Sequence, residues 1–299
     1  MMPTGAKIVR FVGWLFVGAY LGAATLPLSW LVMTSVKSKE DSISLRPKLI
    51  PITGTEPDRE SSGRALVFHP TVAGYASLGD PDTATGRSFF HYLGNSIVIG
   101  LISTVATVFI GTGCAYGFSR YSIPGSKDWL FFILSTRFLP PLAIVVPVLM
   151  MYREFDLQNT HLGLILLYTS FNLSLAVWLM KGFIDEIPLA YEEAALVDGY
   201  TRMHAFASII LPRAAPGMAV TAVFCLISAW NEYGFAMTLN NQGAVTVPVY
   251  FAGLQGNVHG LPWPQIAAGA LIFVGPIILF TVLVRRHLLR GVTFGTIKQ

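Results

Sequence analysis

The chain has 299 residues, of which 53% are hydrophobic and 12% are charged, and its formal net charge is +4. Soluble globular domains carry about 25% charged residues, so this composition excludes an ordinary water-soluble domain and indicates a membrane protein. The basic residues lie beside long apolar runs, a distribution that predicts membrane orientation rather than nucleic-acid binding.

Six stretches of the sequence reach the roughly 20 apolar residues that a membrane-spanning helix requires. In chain order, the predicted spans cover about residues 11–33, 92–118, 129–151, 162–180, 214–239 and 266–284. Each is expected to be a single helix, since backbone polar groups in lipid must be satisfied within the segment. The first apolar run exceeds the roughly 7–15 residues of a signal peptide, which favours a retained anchor. The sequence therefore predicts an all-α polytopic membrane protein.

The short connections predict the orientation, because cytoplasmic loops carry an excess of Lys and Arg. Basic residues precede the first span, follow the last, and occur between spans two and three and between spans four and five. Both termini are therefore predicted to be cytoplasmic. The sequence is divided into a cytoplasmic N-terminus with the first transmembrane helix (1–34), an irregular extracytoplasmic loop with one short helix near 71–78 (35–88), and a core transmembrane domain with a cytoplasmic tail (89–299).

A polar segment, 181–213, separates the fourth and fifth spans and predicts two short helices joined by a glycine turn. Pro188 suits the first turn of a helix over 189–197, and Gly199 can adopt the left-handed conformation that ends it. A second helix is predicted over 201–210, after which a proline interrupts the chain. The segment is predicted to lie in the cytoplasm.

Small residues on the first of these helices predict close contact with another surface. Ala194 and Ala195 would let a partner approach the helix backbone, and Leu196 can provide an apolar contact. Two interpretations remain open from this pattern alone: the helix docks a soluble partner, or it lies at the lipid interface.

The spacing of residues around the glycine turn resembles the EAA motif of ABC importer permeases. The matching positions are Glu193, Ala194, Ala195, Gly199, Ile209, Leu211 and Pro212. Shorter motifs, at 137–141, 160–164, 230–233 and 290–293, are similar in type and order to the maltose-type permeases of carbohydrate importers. The resemblance implies a type I ABC importer permease fold with six transmembrane helices. It also implies that the motif, with Leu196, forms a coupling helix that docks in a groove of a cytosolic ATPase.

The resemblance further implies a function and a set of partners. The chain would be the permease subunit of an importer in the bacterial inner membrane that moves a carbohydrate, polyol or glycoside. Glycerol phosphate or another small polar solute remains open as an alternative substrate. The implied partners are a second permease, two cytosolic ATPases, an extracytoplasmic solute-binding protein and membrane lipid, without nucleic acid.

The sequence predicts no active site, cofactor or metal site in this chain. The phosphate-binding pattern G-x-x-x-x-G-K-[ST] does not occur in it, so ATP and Mg²⁺ would be bound by the ATPase partners. Cys114 and Cys225 lie inside apolar runs and are predicted to be buried thiols. A stand-alone secondary transporter and a membrane scaffold are rival interpretations, although the repeated halves typical of the former are not evident.

Polar side chains interrupt three of the predicted spans and form a candidate translocation path. The residues are Arg137, Asn172, Trp230, Asn231, Glu232 and Tyr233. A charge at the bilayer centre costs roughly 2.5–3.5 kcal/mol on insertion scales, so Arg137 and Glu232 are expected to face a cavity or a partner. Such a lining suits a sugar, because aromatic rings stack on its apolar faces and amide groups form hydrogen bonds with its hydroxyls. The alternative is that Glu232 holds a loop near the external end of its span and that Arg137 snorkels or pairs within the protein.

Overall fold

The computed structural model describes residues 4–52, 66–81, 86–254 and 260–293. Its helices are α1 (Thr4–Ser35), α2 (Lys39–Ser42), α3 (Ala73–Ala76), α4 (Phe89–Arg120), α5 (Ser126–Ser135), α6 (Pro141–Glu154), α7 (His161–Asp185), α8 (Ala190–Val197), α9 (Arg202–Ala205), α10 (Leu211–Trp230), α11 (Gly234–Leu239), α12 (Val247–Gly253) and α13 (Trp263–Thr293). A 3₁₀ turn follows α5 at Thr136–Phe138, and a π-helical turn, Phe206–Ile210, joins α9 to α10.

The all-α membrane class is confirmed by the length and apolar composition of the helices. Five helical segments among the described residues are long and apolar enough to cross a membrane, or six if one bent pair counts as a single span. The fold adds one feature that the sequence did not predict, a two-residue parallel pairing of β1 (Ile50–Pro51) with β2 (Val67–Phe68). The middle of the long loop, 53–65, and the tail, 294–299, lie outside the described residues.

The prediction of one continuous helix for the third span is wrong. Ser126–Phe138 and Ala143–Glu154 are bent by 93° relative to each other. The break falls at Leu139 and Pro140, which both adopt extended conformations, with ψ of 123° and 126°. Each precedes a proline, and the residue before a proline is disfavoured in the α conformation. Two consecutive prolines therefore break a stretch whose apolar composition alone suggested a single span.

The predicted limits of the fifth span are also wrong at both ends. The helix begins at Arg202 and runs to Trp230, rather than from 214 to 239. Pro212 does not interrupt it, because the π-helical turn immediately before α10 accommodates the missing N–H group. At the other end the Asn231 side chain donates to the Ile227 carbonyl at 2.9 Å, and the chain turns before α11 begins.

The chain divides into two compact units, residues 1–90 with 254–274 and residues 91–253 with 275–299. In the first unit, Ser35 at the end of α1 is hydrogen-bonded to Tyr75 of α3 at 3.0 Å. Lys37 is buried between the rings of Trp30 and Phe68, at 4.6 and 5.2 Å from the ring centroids. Burial lowers the pKa of the Lys37 ammonium, an effect that Asp41 opposes. Helix α3 confirms the short helix predicted near 71–78.

In the second unit, α7 packs along α10 and against α6 and α11. Gly217 of α10 allows a close approach, since a Cβ at this position would overlap the ring of Phe183. Cys225 of α10 is buried as predicted, but Cys114 is exposed because it lies on the outer face of α4 in the single chain. The division of the chain into 1–34, 35–88 and 89–299 stays a prediction.

Candidate functional site: a helix–turn–helix and a polar cavity

The turn between α8 and α9 has the predicted backbone geometry. Helix α8 ends at Val197, and Gly199 has a φ of +87°, in the left-handed region that favours glycine. The hydroxyl of Thr201 then accepts a hydrogen bond from the amide of His204 at 3.2 Å and caps α9. The two helices and the glycine turn are thus confirmed, while their role in coupling stays a prediction.

The residues of the predicted coupling motif divide between an exposed and a buried set. Glu193, Ala194, Gly199 and Pro212 are exposed, and Leu196, Ile209 and Leu211 are partly buried. Ala195 is only 3% exposed and faces its own protein, which corrects the expectation that both alanines admit a partner.

Exposed apolar side chains that the sequence analysis did not select surround the same turn. Val197 is 88% exposed, Met203 is 73% exposed, and Tyr200 lies between them with 45% exposure. Three large apolar side chains next to one polar turn form a surface that suits contact with another protein. Their position on either side of the glycine that ends α8 was the available signal, because a turn between two short helices leaves side chains that neither helix buries.

A buried ion pair fixes α8 to the end of α4. Arg120 Nε donates to Glu192 Oε2 at 3.1 Å, and both side chains are 3% exposed. The Tyr116 hydroxyl donates to Glu192 Oε1 at 2.5 Å. The second arm of Arg120 donates to the carbonyls of Ile184 and Ile187, at 3.1 and 2.7 Å. One guanidinium therefore joins α4, the end of α7 and α8, and we call Tyr116, Arg120 and Glu192 the anchor cluster.

Apolar packing surrounds the anchor cluster. Ile184 and Ile210 are fully buried beside it, and the ring of Phe206 lies 4.5 Å from that of Tyr116. The π-helical turn therefore rests on the same core as α8. The partner of Glu192 in this buried pair lies 72 residues earlier in the chain.

The second candidate site is a cavity of about 220 Å³ formed where α10 ends, next to α7 and the break between α5 and α6. Three of the predicted path residues, Arg137, Asn172 and Glu232, contribute polar groups to its wall. Aromatic side chains that were not predicted complete much of the wall, namely Tyr168, Phe171 and Phe235. The cavity brings together polar residues from three different predicted spans.

Glu232 is held firmly at one side of the cavity. Its Oε1 accepts the Phe235 amide at 2.8 Å, and its Oε2 accepts the Ala236 amide at 3.0 Å and the Tyr168 hydroxyl at 2.8 Å. The carboxylate thus caps the start of α11. This role agrees with the alternative prediction, in which Glu232 holds a loop near the end of its span. The same residue also faces the cavity.

Asn172 and Arg137 have fewer partners than Glu232. Asn172 is 3% exposed, its Nδ2 donates to the Cys225 carbonyl at 3.5 Å, and its Oδ1 accepts no hydrogen bond from any described residue. Arg137 is exposed and donates to the Phe171 carbonyl at 3.5 Å. Within the described part of the chain, Arg137 forms no ion pair. Across the described ranges, the pairing of Arg137 is therefore limited to one long hydrogen bond.

The other three predicted path residues lie away from the cavity wall. Trp230 is 4% exposed, packed within the protein at the end of α10. The Asn231 side chain binds the backbone of its own helix, and the Tyr233 hydroxyl contacts the sulfur of Met237 at 2.6 Å. Adjacency in sequence to Glu232 does not bring these side chains to the cavity, because the chain turns at the helix end.

Comparison with known families and sequences gives three findings. The family model described as "Binding-protein-dependent transport system inner membrane component" matches residues 96–293. The trehalose transport system permease protein SugB of Mycobacterium tuberculosis is 34% identical over 280 residues, covering 93% of this chain and 94% of that protein. The trehalose/maltose transport system permease protein MalG of Thermococcus litoralis is 32% identical over 240 residues, covering 79% of this chain and 84% of that protein.

A solved structure shares the fold. It is that of a bacterial ABC transporter involved in the import of the acidic polysaccharide alginate. The match has a TM-score of 0.71 at 20% identity and covers 96% of this chain and 98% of the other. At this identity, the likeness supports the architecture alone.

Proposed function

This chain belongs to the family of binding-protein-dependent transport system inner membrane components, and on that premise we propose that it is the permease subunit of an ATP-driven importer of a carbohydrate, polyol or glycoside. Two relatives support the substrate class, since one is named for trehalose transport and the other for trehalose/maltose transport. Their similarity covers 93% and 79% of this chain, respectively.

The proposed partners are a second permease, two cytosolic ATPases and an extracytoplasmic binding protein. ATP and Mg²⁺ would be held by the ATPases, and this chain would hold no cofactor. Both termini and the α8–α9 turn would face the cytoplasm, in accord with the basic short loops on that side. The observation that carries the proposal is the EAA-spaced turn, in which Gly199 ends α8 beside the exposed Val197, Tyr200 and Met203.

The anchor cluster gives this proposal a mechanical basis. Arg120 binds Glu192 and two carbonyls at the end of α7, so a force on α8 reaches α4 and α7 through buried hydrogen bonds. Closure of the ATPase pair would move α8 as part of a rigid body, and rocking of the two permeases would switch the access of the solute path. A surface helix held only by lipid contacts would not transmit such a force.

Charge insertion at the exposed turn tests the proposal. The Val197→Arg variant of the complete transporter, reconstituted with its ATPases and binding protein, is expected to insert normally but to lose ATPase stimulation and uptake. Burying an unpaired guanidinium at the docking interface is costly. Ile43→Arg, which changes a side chain that is 60% exposed on the predicted external loop, is the matched control and should retain both activities. Equal uptake by the two variants would refute docking through this turn.

A further inference from the structure

The wall of the cavity beside Glu232 includes an acceptor that none of the described residues uses. Asn172 lies on α7 with 97% of its surface buried, and no described residue donates to its Oδ1. A buried acceptor without a donor costs roughly 1–3 kcal/mol, and such groups in native proteins call for an explanation. Because Asn172 lines the cavity, a rotation of its amide would bring Oδ1 within reach of a ligand that donates a hydrogen bond.

The remaining polar groups of the wall restrict the chemistry of such a ligand. Three donors from the protein already hold the Glu232 carboxylate, two at Oε2 and one at Oε1. The Arg137 guanidinium makes one hydrogen bond, at 3.5 Å, and can donate to further oxygens. The wall therefore offers an acceptor at Asn172 and several donors at Arg137, and it also contains the Ser228 hydroxyl. A pair of hydroxyl groups on one molecule can bind Asn172 and Arg137 together, since a hydroxyl donates and accepts.

The charges of the wall favour an uncharged ligand. Arg137 and Glu232 are the two ionisable groups of opposite sign among the lining residues, so their formal charges cancel. An anion drawn to Arg137 would also approach the Glu232 carboxylate, whose charge faces the same space. Phe171 and Phe235, with ring centroids 4.9 Å apart, add apolar surface on which a sugar or polyol carbon skeleton can rest.

The cavity is small for a complete site. Its volume of about 220 Å³ is below the roughly 300–1,000 Å³ of typical small-molecule sites, so it accommodates part of a solute. We propose that this subunit itself contributes a solute-binding site in which Asn172 accepts a hydrogen bond from a hydroxyl of an uncharged polyol or sugar and Arg137 donates to a neighbouring oxygen. This inference rests on the proposed import function, and it excludes glycerol phosphate as the ligand of this cavity.

The Asn172→Leu variant separates a binding role from a structural one. Leucine has nearly the same size and removes the unused acceptor, so the solute-free complex should unfold at the same temperature or a higher one. Binding of an uncharged polyol should weaken about tenfold, because its hydroxyl loses a partner. Ser174→Ala is the matched control, since Ser174 is buried two residues further along α7 and bonds the Phe171 carbonyl at 3.3 Å.

Thermal unfolding of the complete transporter in nanodiscs measures both effects. Trehalose, maltose and sorbitol are the uncharged probes, and glycerol 3-phosphate is the charged one. Stabilisation by at least one uncharged probe, retained in Ser174→Ala and reduced in Asn172→Leu, supports the inference. Stabilisation by none of them, equal stabilisation of both variants, or stabilisation by glycerol 3-phosphate alone overturns it.

ATP hydrolysis by the same preparations distinguishes failure of this inference from failure of the proposed function. An importer that hydrolyses ATP and is inhibited by Val197→Arg, but is not stabilised by any uncharged probe, would contradict only the solute site in this chain. A chain that purifies without an ATPase would contradict the proposed function itself.

Discussion

Replacement of Arg120 by methionine tests how α8 is held to the rest of the protein. The change removes three hydrogen bonds, one to Glu192 and two to the carbonyls of Ile184 and Ile187. It leaves the Glu192 carboxylate, 3% exposed, with the Tyr116 hydroxyl as a remaining donor. Loss of one partner of a buried ion pair costs about 3–5 kcal/mol. Since Tyr116 stays in place, we expect about 3 kcal/mol of destabilisation.

The double variant Arg120→Met/Glu192→Leu should recover most of this loss. Replacing both members of a buried pair by apolar side chains of similar volume is often neutral or stabilising. The single variants and the double variant form a cycle, for which we expect a coupling free energy of about 2–3 kcal/mol. Arg120→Lys should fall between wild type and methionine, because an ammonium lacks the fork that reaches the carboxylate and both carbonyls.

Two quantities are measured for each variant of the cycle: the thermal unfolding of the complex in nanodiscs and the solute uptake per ATP hydrolysed. We expect Arg120→Met to lower both, and the double variant to regain stability while its uptake per ATP stays low, since the directional link to α7 is missing. The reasoning would be refuted if Arg120→Met unfolded like wild type, or if the double variant were as unstable as the sum of the single ones.

Three further predictions concern glycine geometry and a buried charge. Gly199→Val should retain membrane insertion but lower ATPase-coupled uptake at least tenfold, because valine is strained at a φ of +87°; wild-type uptake would contradict this. Gly163→Ala should lower the unfolding temperature, since its Cβ would overlap the Leu157 carbonyl and lie 3.0 Å from the Tyr152 ring. Gly113→Ala should leave it unchanged, because among the described residues no atom outside the local helix backbone lies within 4 Å of the added Cβ. Burial lowers the pKa of Lys37, so the unfolded chain binds more protons, and stability should increase as the pH rises toward the ordinary value of 10.5. Lys37→Met should abolish this increase in stability. If the variant kept the increase, another titratable group would be responsible for it.

The sequence was sufficient to predict the long helices. Runs of about 20 apolar residues locate spans because lipid leaves a backbone few other solutions. The break at Leu139 and Pro140 was missed although two consecutive prolines mark it, because the prediction gave the long apolar run more weight than the local effect of proline. The end of the fifth span was missed for a similar reason: the side chains of Asn231 and Glu232 bind the backbone and turn the chain.

The candidate sites were predicted in part. Arg137, Asn172 and Glu232 were selected because polar groups are costly in an apolar span, and the fold brings all three to one cavity. The anchor cluster could not be predicted, since Glu192 and Arg120 are 72 residues apart and either residue alone resembles an ordinary surface charge. Such a pairing depends on how α4, α7 and α8 pack together. The residue pattern along a single helix does not predict that packing.

Site-specific cross-linking tests the central claim most directly. Cysteine would be introduced at Val197, 88% exposed beside the turn, in a chain whose exposed Cys114 has been replaced by serine. The account predicts a cross-link between this residue and a cytosolic ATPase subunit, formed during ATP-driven uptake and absent when cysteine is placed at Ile43. Uptake in a purified transporter whose ATPase never cross-links to residues around this turn would contradict the account.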